Sequence, residues 1–154
     1  MAFDFSKVGA GRHARKLIDP RQLFDSLPER AEQYEFLRDP QGQVLEAWFG
    51  RRTERDLVIK LNTGGGKTVV GLVAAQSSLN EDEGPAVYLA PDPYLADQAL
   101  NQARDLGLAV TDDPLSDTFI NSQAICVTSI RRLIKAVTST SCRSGEGLPP
   151  ARPS

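Results

Sequence analysis

Lys67 and Thr68, set directly behind Gly64, Gly65 and Gly66, are the residues of this chain whose types and spacing best suit chemistry. Glycines let the backbone turn its N–H groups inward with no Cβ in the way. An ammonium and a hydroxyl beside those donors make an anion cradle. In it Lys67 would reach the β- and γ-phosphates of a nucleotide, and the Thr68 hydroxyl would hold Mg²⁺. The context agrees. Leu57-Val58-Ile59-Lys60-Leu61 is an apolar, β-branched run before the glycines, and helical spacing follows them. Strand, glycine turn and helix in that order are what a phosphate-binding P-loop requires. The helix N-terminus adds its partial positive charge at the same spot. Leu61 departs from the pattern G-x-x-x-x-G-K-[ST], whose first position is usually glycine or alanine. The plainer alternative is a glycine-rich turn with Lys67 merely solvated.

Other chemistry-bearing residues are sparse. Cys126 and Cys142 cannot form a disulfide framework or a zinc site by spacing, and Cys126 sits in a run that reads as a buried strand. His13, the only histidine, lies in a polar arm. The net charge of −2 gives no general attraction to nucleic acid, so such binding would need a local patch. Between Glu81 and Asp117 there are nine acidic residues against Arg104 alone, whereas the stretches around Arg12 to Arg21, Arg51 to Arg55 and Arg131 to Lys135 lean basic. At 154 residues the chain fits one domain with a genuine core. No hydrophobic run has the length of a membrane span, and Met1 to Arg21 lacks a signal-peptide core. These features predict an intracellular protein, cytoplasmic or nuclear, with no membrane partner.

The elements that must position the loop follow from spacing. Residues 1 to about 18 read as a polar arm. Asp19-Pro20 fits an N-cap with proline at the first helical position, opening a short helix through Leu23, Phe24 and Leu27. Tyr34, Phe36 and Leu37 suggest a second short helix. Asp39-Pro40 repeats the cap signal before a better helix through Val44, Leu45, Trp48 and Phe49. Asp56 to Leu61 is expected as the first strand, with both faces covered as in a parallel sheet. A helix from Lys67 to about Leu79 carries Val70, Val73 and Ala74 inward, and a loop at Glu81-Asp82-Glu83 follows. Ala86 to Ala90 is the second strand, and a helix through Leu95, Ala99, Ala103 and Leu106 stops at Gly107. Leu108 to Val110 and Ile125 to Thr128 are further strands, and Ile130, Leu133, Ile134 and Val137 mark a closing amphipathic helix. The alternation implies right-handed βαβ crossovers and an α/β fold with a mostly parallel sheet. From Thr138 to Ser154 the chain turns rich in Ser, Gly and Pro and is expected to be disordered.

Thr63-Gly64-Gly65-Gly66-Lys67-Thr68 resembles motif I of superfamily 2 helicases, the DEAD/DEAH-box group. Upstream, Leu37-Arg38-Asp39-Pro40-Gln41 resembles the Leu-Arg-x-x-Gln element that precedes motif I in many of these proteins. By that resemblance Gln41 reads the adenine edge, which an amide can do because it both donates and accepts. Gln43 is the competing candidate, and a solvated helix-start glutamine is the alternative. Pro91-Asp92-Pro93-Tyr94-Leu95-Ala96-Asp97-Gln98 is similar to motif Ia through Pro91, Leu95, Ala96 and Gln98. Pro93 replaces the usual basic residue, and Leu95 and Ala96 read as core. Ser129-Ile130-Arg131-Arg132-Leu133 resembles motif Ib through Ser129, Arg132 and Leu133. A hydroxyl and a guanidinium at a helix start suit a backbone phosphate, although Arg131 and Arg132 equally fit a solvated helix end.

The resemblance, over residues 37 to 137, implies a partial RecA-like P-loop domain preceded by an arm and short helices at 1–36. It implies ATP and Mg²⁺ as cofactors, bound at Gln41 and Thr63 to Thr68. Nucleic acid, DNA or RNA, would bind at Pro91, Gln98, Ser129 and Arg132. Hydrolysis in the family needs an Asp-Glu motif after a further apolar strand, and Glu81-Asp82-Glu83 lies in a loop instead. No complete catalytic set is present. The expectation is therefore a chain cut off before that motif, with a partner supplying the other half of the motor. The rival readings are a non-catalytic nucleotide-binding or interaction module, or another P-loop NTPase.

Overall fold

A computed structural model describes residues 16–27 and 31–143. Helix α1 (Pro20–Ser26) starts as its sequence dictates, with Asp19 Oδ1 accepting the N–H groups of Arg21 and Gln22 and with Pro20 in the first turn. The segment before it is pinned to a later helix, where the Ser77 hydroxyl donates to the Ile18 carbonyl and Asn80 Nδ2 to the Leu17 carbonyl. The expected second short helix reduces to one 3₁₀ turn at Glu32–Tyr34. Helix α2 (Asp39–Arg51) begins one residue earlier than Asp39-Pro40 suggests. Arg38 is its N-cap, because Gln41 reaches back to accept the Arg38 N–H at 3.1 Å.

Helix α3 (Lys67–Asn80) is buried on nearly every side through Val69, Val70, Leu72, Val73 and Leu79. Strand β1 (Val87–Ala90), helix α4 (Pro93–Asp105), strand β2 (Val110–Thr111), the one-turn helix α5 (Asp117–Ile120), strand β3 (Ile125–Ser129) and helix α6 (Ile130–Arg143) complete the order. The three strands form an all-parallel sheet in the order β1-β3-β2, with Ala90 opposite Ser129 and Val110 opposite Ile125. The α/β reading holds. The core gathers Phe24, Leu45, Leu72, Val73, Leu106, Ile125 and Val127 from α1, α2, α3, the end of α4 and the sheet. Gly107, at φ 73°, stops α4 as expected.

Several expectations need correction. Asp56 to Leu61 is not a strand. Its residues take no part in the sheet, and Val58 is 98% exposed and Ile59 40%. A strand exists only where a neighbour completes its ladder, and among the described residues no strand lies beside this segment. Leu95, expected in the core, is exposed, whereas Ala96 is buried as expected. The apolar stripe of α6 is real, but Ile130, Ile134 and Val137 remain exposed. The third strand is Val110–Thr111, following rather than including the buried Leu108. Helix α6 continues past Val137 to Arg143. His13 and the tail beyond Arg143 lie outside the described residues.

Candidate nucleotide and nucleic-acid sites

The glycine loop is shaped by backbone conformations that L side chains rarely adopt. Gly64 has φ 79° and Gly66 has φ 74°, both in the left-handed region. Gly65 donates its N–H to the Asn62 carbonyl at 3.0 Å, closing a tight turn. Gly66 then caps α3 with no side-chain acceptor, and Val70 N–H is the first to bond back, to the Gly66 carbonyl. The N–H groups of Lys67, Thr68 and Val69 therefore precede the first intrahelical donor and carry the positive end of the helix dipole. Lys67 is exposed and Thr68 half-buried. A cavity of about 370 Å³ opens beside the loop, lined by Arg38, Pro40, Lys60, Leu61, Thr63, Gly64 and Gly65. Two cationic side chains, Arg38 and Lys60, flank it.

Gln41 belongs to this loop physically as well as by spacing. It is 6% exposed, and its Nε2 donates to the Gly65 carbonyl at 3.2 Å. Arg38 adds a second tie, its Nη1 donating to the Gly64 carbonyl at 3.2 Å. Both amide ends of Gln41 are thus engaged with main chain, each retaining capacity for one further bond. Gln43, the competing candidate, is exposed on the far side of the helix start. Arg38 is a loop-positioning residue that sequence reasoning quoted only as part of a motif.

The donor set suits a triphosphate and its metal. Lys67 and the α3 N–H groups match phosphate oxygens, and the Thr68 hydroxyl matches a hard cation that takes its remaining ligands from the nucleotide. Among the described residues no group of three or more His, Cys, Asp or Glu could hold a metal. Glu81 caps the far end of α3, about 21 Å along that helix from Lys67, and its carboxylate is bound by Arg52 Nε at 2.7 Å.

Of the four residues expected to meet nucleic acid, Pro91, Ser129 and Arg132 stand at one end of the sheet. Ala90 pairs with Ser129 across adjacent parallel strands, so Pro91 and Ser129 both stand at the carboxyl ends of β1 and β3. Because α3 ends at Asn80 and a short loop returns the chain to Val87, the glycine loop lies toward that same end. This is where open α/β sheets bind ligands. Pro91 is exposed. Gln98 is exposed but donates through Nε2 to the Tyr94 hydroxyl at 3.1 Å. Ser129 is buried, and its Oγ accepts the Arg132 N–H at 3.3 Å, capping the first turn of α6. Arg132 Nη1 is paired with Asp97 Oδ1 at 2.9 Å. Tyr94 and Asp97 escaped the sequence reading. Their place on the exposed face of α4, three residues apart, was the available signal.

Cys126 is buried in β3. Burial pushes its thiol up to about 11, with the Asp113 and Asp112 carboxylates adding to the effect. That makes it an inert core residue. Among the described residues no helix is long and apolar enough to cross a membrane.

The family model described as DEAD/DEAH box helicase matches residues 38–140. No curated protein and no solved structure matches the chain.

Proposed function

The chain belongs to the DEAD/DEAH box helicase family, and on that premise we propose that Thr63 to Thr68 bind the phosphates of ATP with Mg²⁺, while the carboxyl ends of β1 and β3 bind a nucleic-acid backbone. One observation carries the nucleotide half. The N-terminus of α3, with no side-chain cap, sits behind two left-handed glycines and carries exposed Lys67 and half-buried Thr68; the cavity between Arg38 and Lys60 adjoins the loop at Thr63 to Gly65, without Lys67 or Thr68 in its lining. Lys67 supplies a point charge to the β- and γ-phosphates, and the main-chain donors fix their position. Thr68 orients the metal. Gln41 holds the loop through Gly65 and offers its remaining donor and acceptor to the adenine edge.

The nucleic-acid half rests on Pro91, Ser129 and Arg132 standing at the end of the sheet toward which the loop also lies, with Gln98 exposed on the adjoining helix α4. Contacts of this type fall on phosphate and sugar and carry no base identity. ATP-driven translocation or remodelling is the parent activity. The acid pair that would orient water and metal, together with a trans arginine, would come from outside these residues.

A second reading, a nucleotide-binding module without turnover, is favoured by the acidic triplet. Glu81 is bound by Arg52 at the wrong end of α3, so it cannot serve the phosphates. Calorimetry with Mg·ADP and Mg·ATP tests the nucleotide half. Lys67→Ala is expected to remove most of the binding, and equal affinity in that variant would sink the phosphate-cradle reading.

A further inference from the structure

Asp97 and Arg132 bridge α4 and α6, with Arg132 Nη1 and Asp97 Oδ1 2.9 Å apart. Ser129 Oγ fixes the first turn of α6 by accepting the Arg132 N–H, so the guanidinium is presented from a capped, rigid start. Both side chains are open to solvent, 41% exposed for Arg132 and 55% for Asp97. Anything approaching the carboxyl end of the sheet meets them together. Other carboxylates stand near this end: Asp92 is occupied as the α4 cap, its Oδ1 accepting the Leu95 N–H, and Asp113, just after β2, accepts the Leu115 N–H through its Oδ1. Asp97 is the carboxylate paired with the guanidinium, and so the one that competes for it.

We propose that Asp97 is a built-in competitor for Arg132, so that a polynucleotide phosphate engages the guanidinium only by sharing or displacing the Asp97 carboxylate, and Asp97 sets the affinity of this site. The inference rests on the nucleic-acid reading above. A phosphodiester offers the same anionic oxygens as a carboxylate, and a guanidinium has five donors in a planar fork. An exposed ion pair is weak enough to be exchanged, so Asp97 weakens binding without preventing it. The contribution is specific to the pair. It differs from the general repulsion of a negative surface, which would act at any position and fade over about 8–10 Å of salt screening.

The test is fluorescence anisotropy of the whole chain with oligo-dT and oligo-U over a salt series, for the unaltered protein, Asp97→Asn, Arg132→Gln and the double variant. Asp97→Asn is isosteric and Arg132→Gln keeps a shorter polar side chain, both at exposed positions, and the fold is checked by circular dichroism. Asp97→Asn is expected to tighten binding about two- to fivefold, the range an exposed pair spans. Arg132→Gln should weaken binding and lower the salt slope by about 0.7 on a single strand. In the Arg132→Gln background, Asp97→Asn should then do nothing. Equal tightening in both backgrounds would overturn the proposal in favour of bulk charge. Weakening by Arg132→Gln with no response to Asp97→Asn would overturn it while leaving the nucleic-acid reading intact. Failure of Arg132→Gln to alter binding, or no binding by any form, would remove both.

Discussion

Gln41 Nε2 donates to the carbonyl oxygen of Gly65 at 3.2 Å, across 24 residues of sequence, while the same amide accepts the Arg38 N–H at 3.1 Å. One buried side chain thereby joins the start of α2 to the glycine loop. The consequence is mechanical. Whatever moves the loop is felt at the α2 N-terminus, and whatever contacts Gln41 is felt at the glycine loop.

Gln41→Glu separates these duties. The carboxylate still accepts the Arg38 N–H but sets its other oxygen against the Gly65 carbonyl. Expected is a retained α2 with weakened Mg·ADP binding, whereas Gln41→Ala loses both ties and about 1–2 kcal/mol of stability. Calorimetry and chemical denaturation on the two variants distinguish the roles. Equal nucleotide affinity in both variants and the unaltered chain would show that the tie is incidental.

Gly64 and Gly66 share a left-handed conformation, and alanine at either is expected to cost about 1–2 kcal/mol. Their surroundings differ. A Cβ on Gly64 meets nothing within 4 Å, whereas one on Gly66 would lie 1.9 Å from Gln41 Nε2. Gly66→Ala is therefore expected to be the more damaging in urea denaturation. Measured within a Gln41→Ala background, Gly66→Ala should lose its steric excess and cost only the φ penalty, like Gly64→Ala.

The unpaired segment before the loop predicts an uneven exchange pattern. Amides of Ile125 to Thr128, in the central strand, should be the most protected, and those of Leu57 to Lys60 should exchange early. Val58→Asn should change stability by less than about 0.5 kcal/mol and improve solubility. Strong protection at Val58 in the free chain would contradict the unpaired geometry.

Cys126 gives a pH prediction. Its folded-state value of about 11 lies above the ordinary 9.0, so the buried neutral thiol contributes stability that is fully present below pH 9. That contribution is lost as the pH rises toward 11, where the unfolded chain gains by ionising. In a Cys142→Ser background, iodoacetamide should fail to label the folded chain at pH 8 and label it readily in denaturant. Rapid labelling of the native form would place the thiol at the surface.

The acidic triplet is expected to be silent in nucleotide binding. Asp82→Asn and Glu83→Gln should leave Mg·ADP affinity unchanged, since the loop stands at the opposite end of α3. Sustained phosphate release by the purified chain, abolished by Lys67→Ala, would reveal a catalytic acid that neither the motif order nor the geometry discloses.

Much of the site was legible because it is local. A left-handed glycine, a proline after a cap and a hydroxyl before a helix act within a few residues, so the loop at Thr63 to Thr68, the cap at Asp19 and the stop at Gly107 could all be read directly from their order. The alternation of helix and strand likewise specified an α/β fold with parallel strands. What spacing could not supply was partnership. Leu57 to Leu61 has strand composition, yet a strand is a relation between two segments, and here the second segment is not beside it. The stripe of α6 and the position of Leu95 repeat the lesson, since amphipathic spacing says which residues share a face and not what covers it. Nor does any local rule announce that Gln41 grips Gly65, or that Arg132 is held by Asp97, 35 residues earlier. Those contacts arise because parallel β1 and β3 bring the starts of α4 and α6 together, and because α2 packs against α3. Chemistry confined to one turn is written in sequence order, whereas chemistry shared between elements is set only when the core closes.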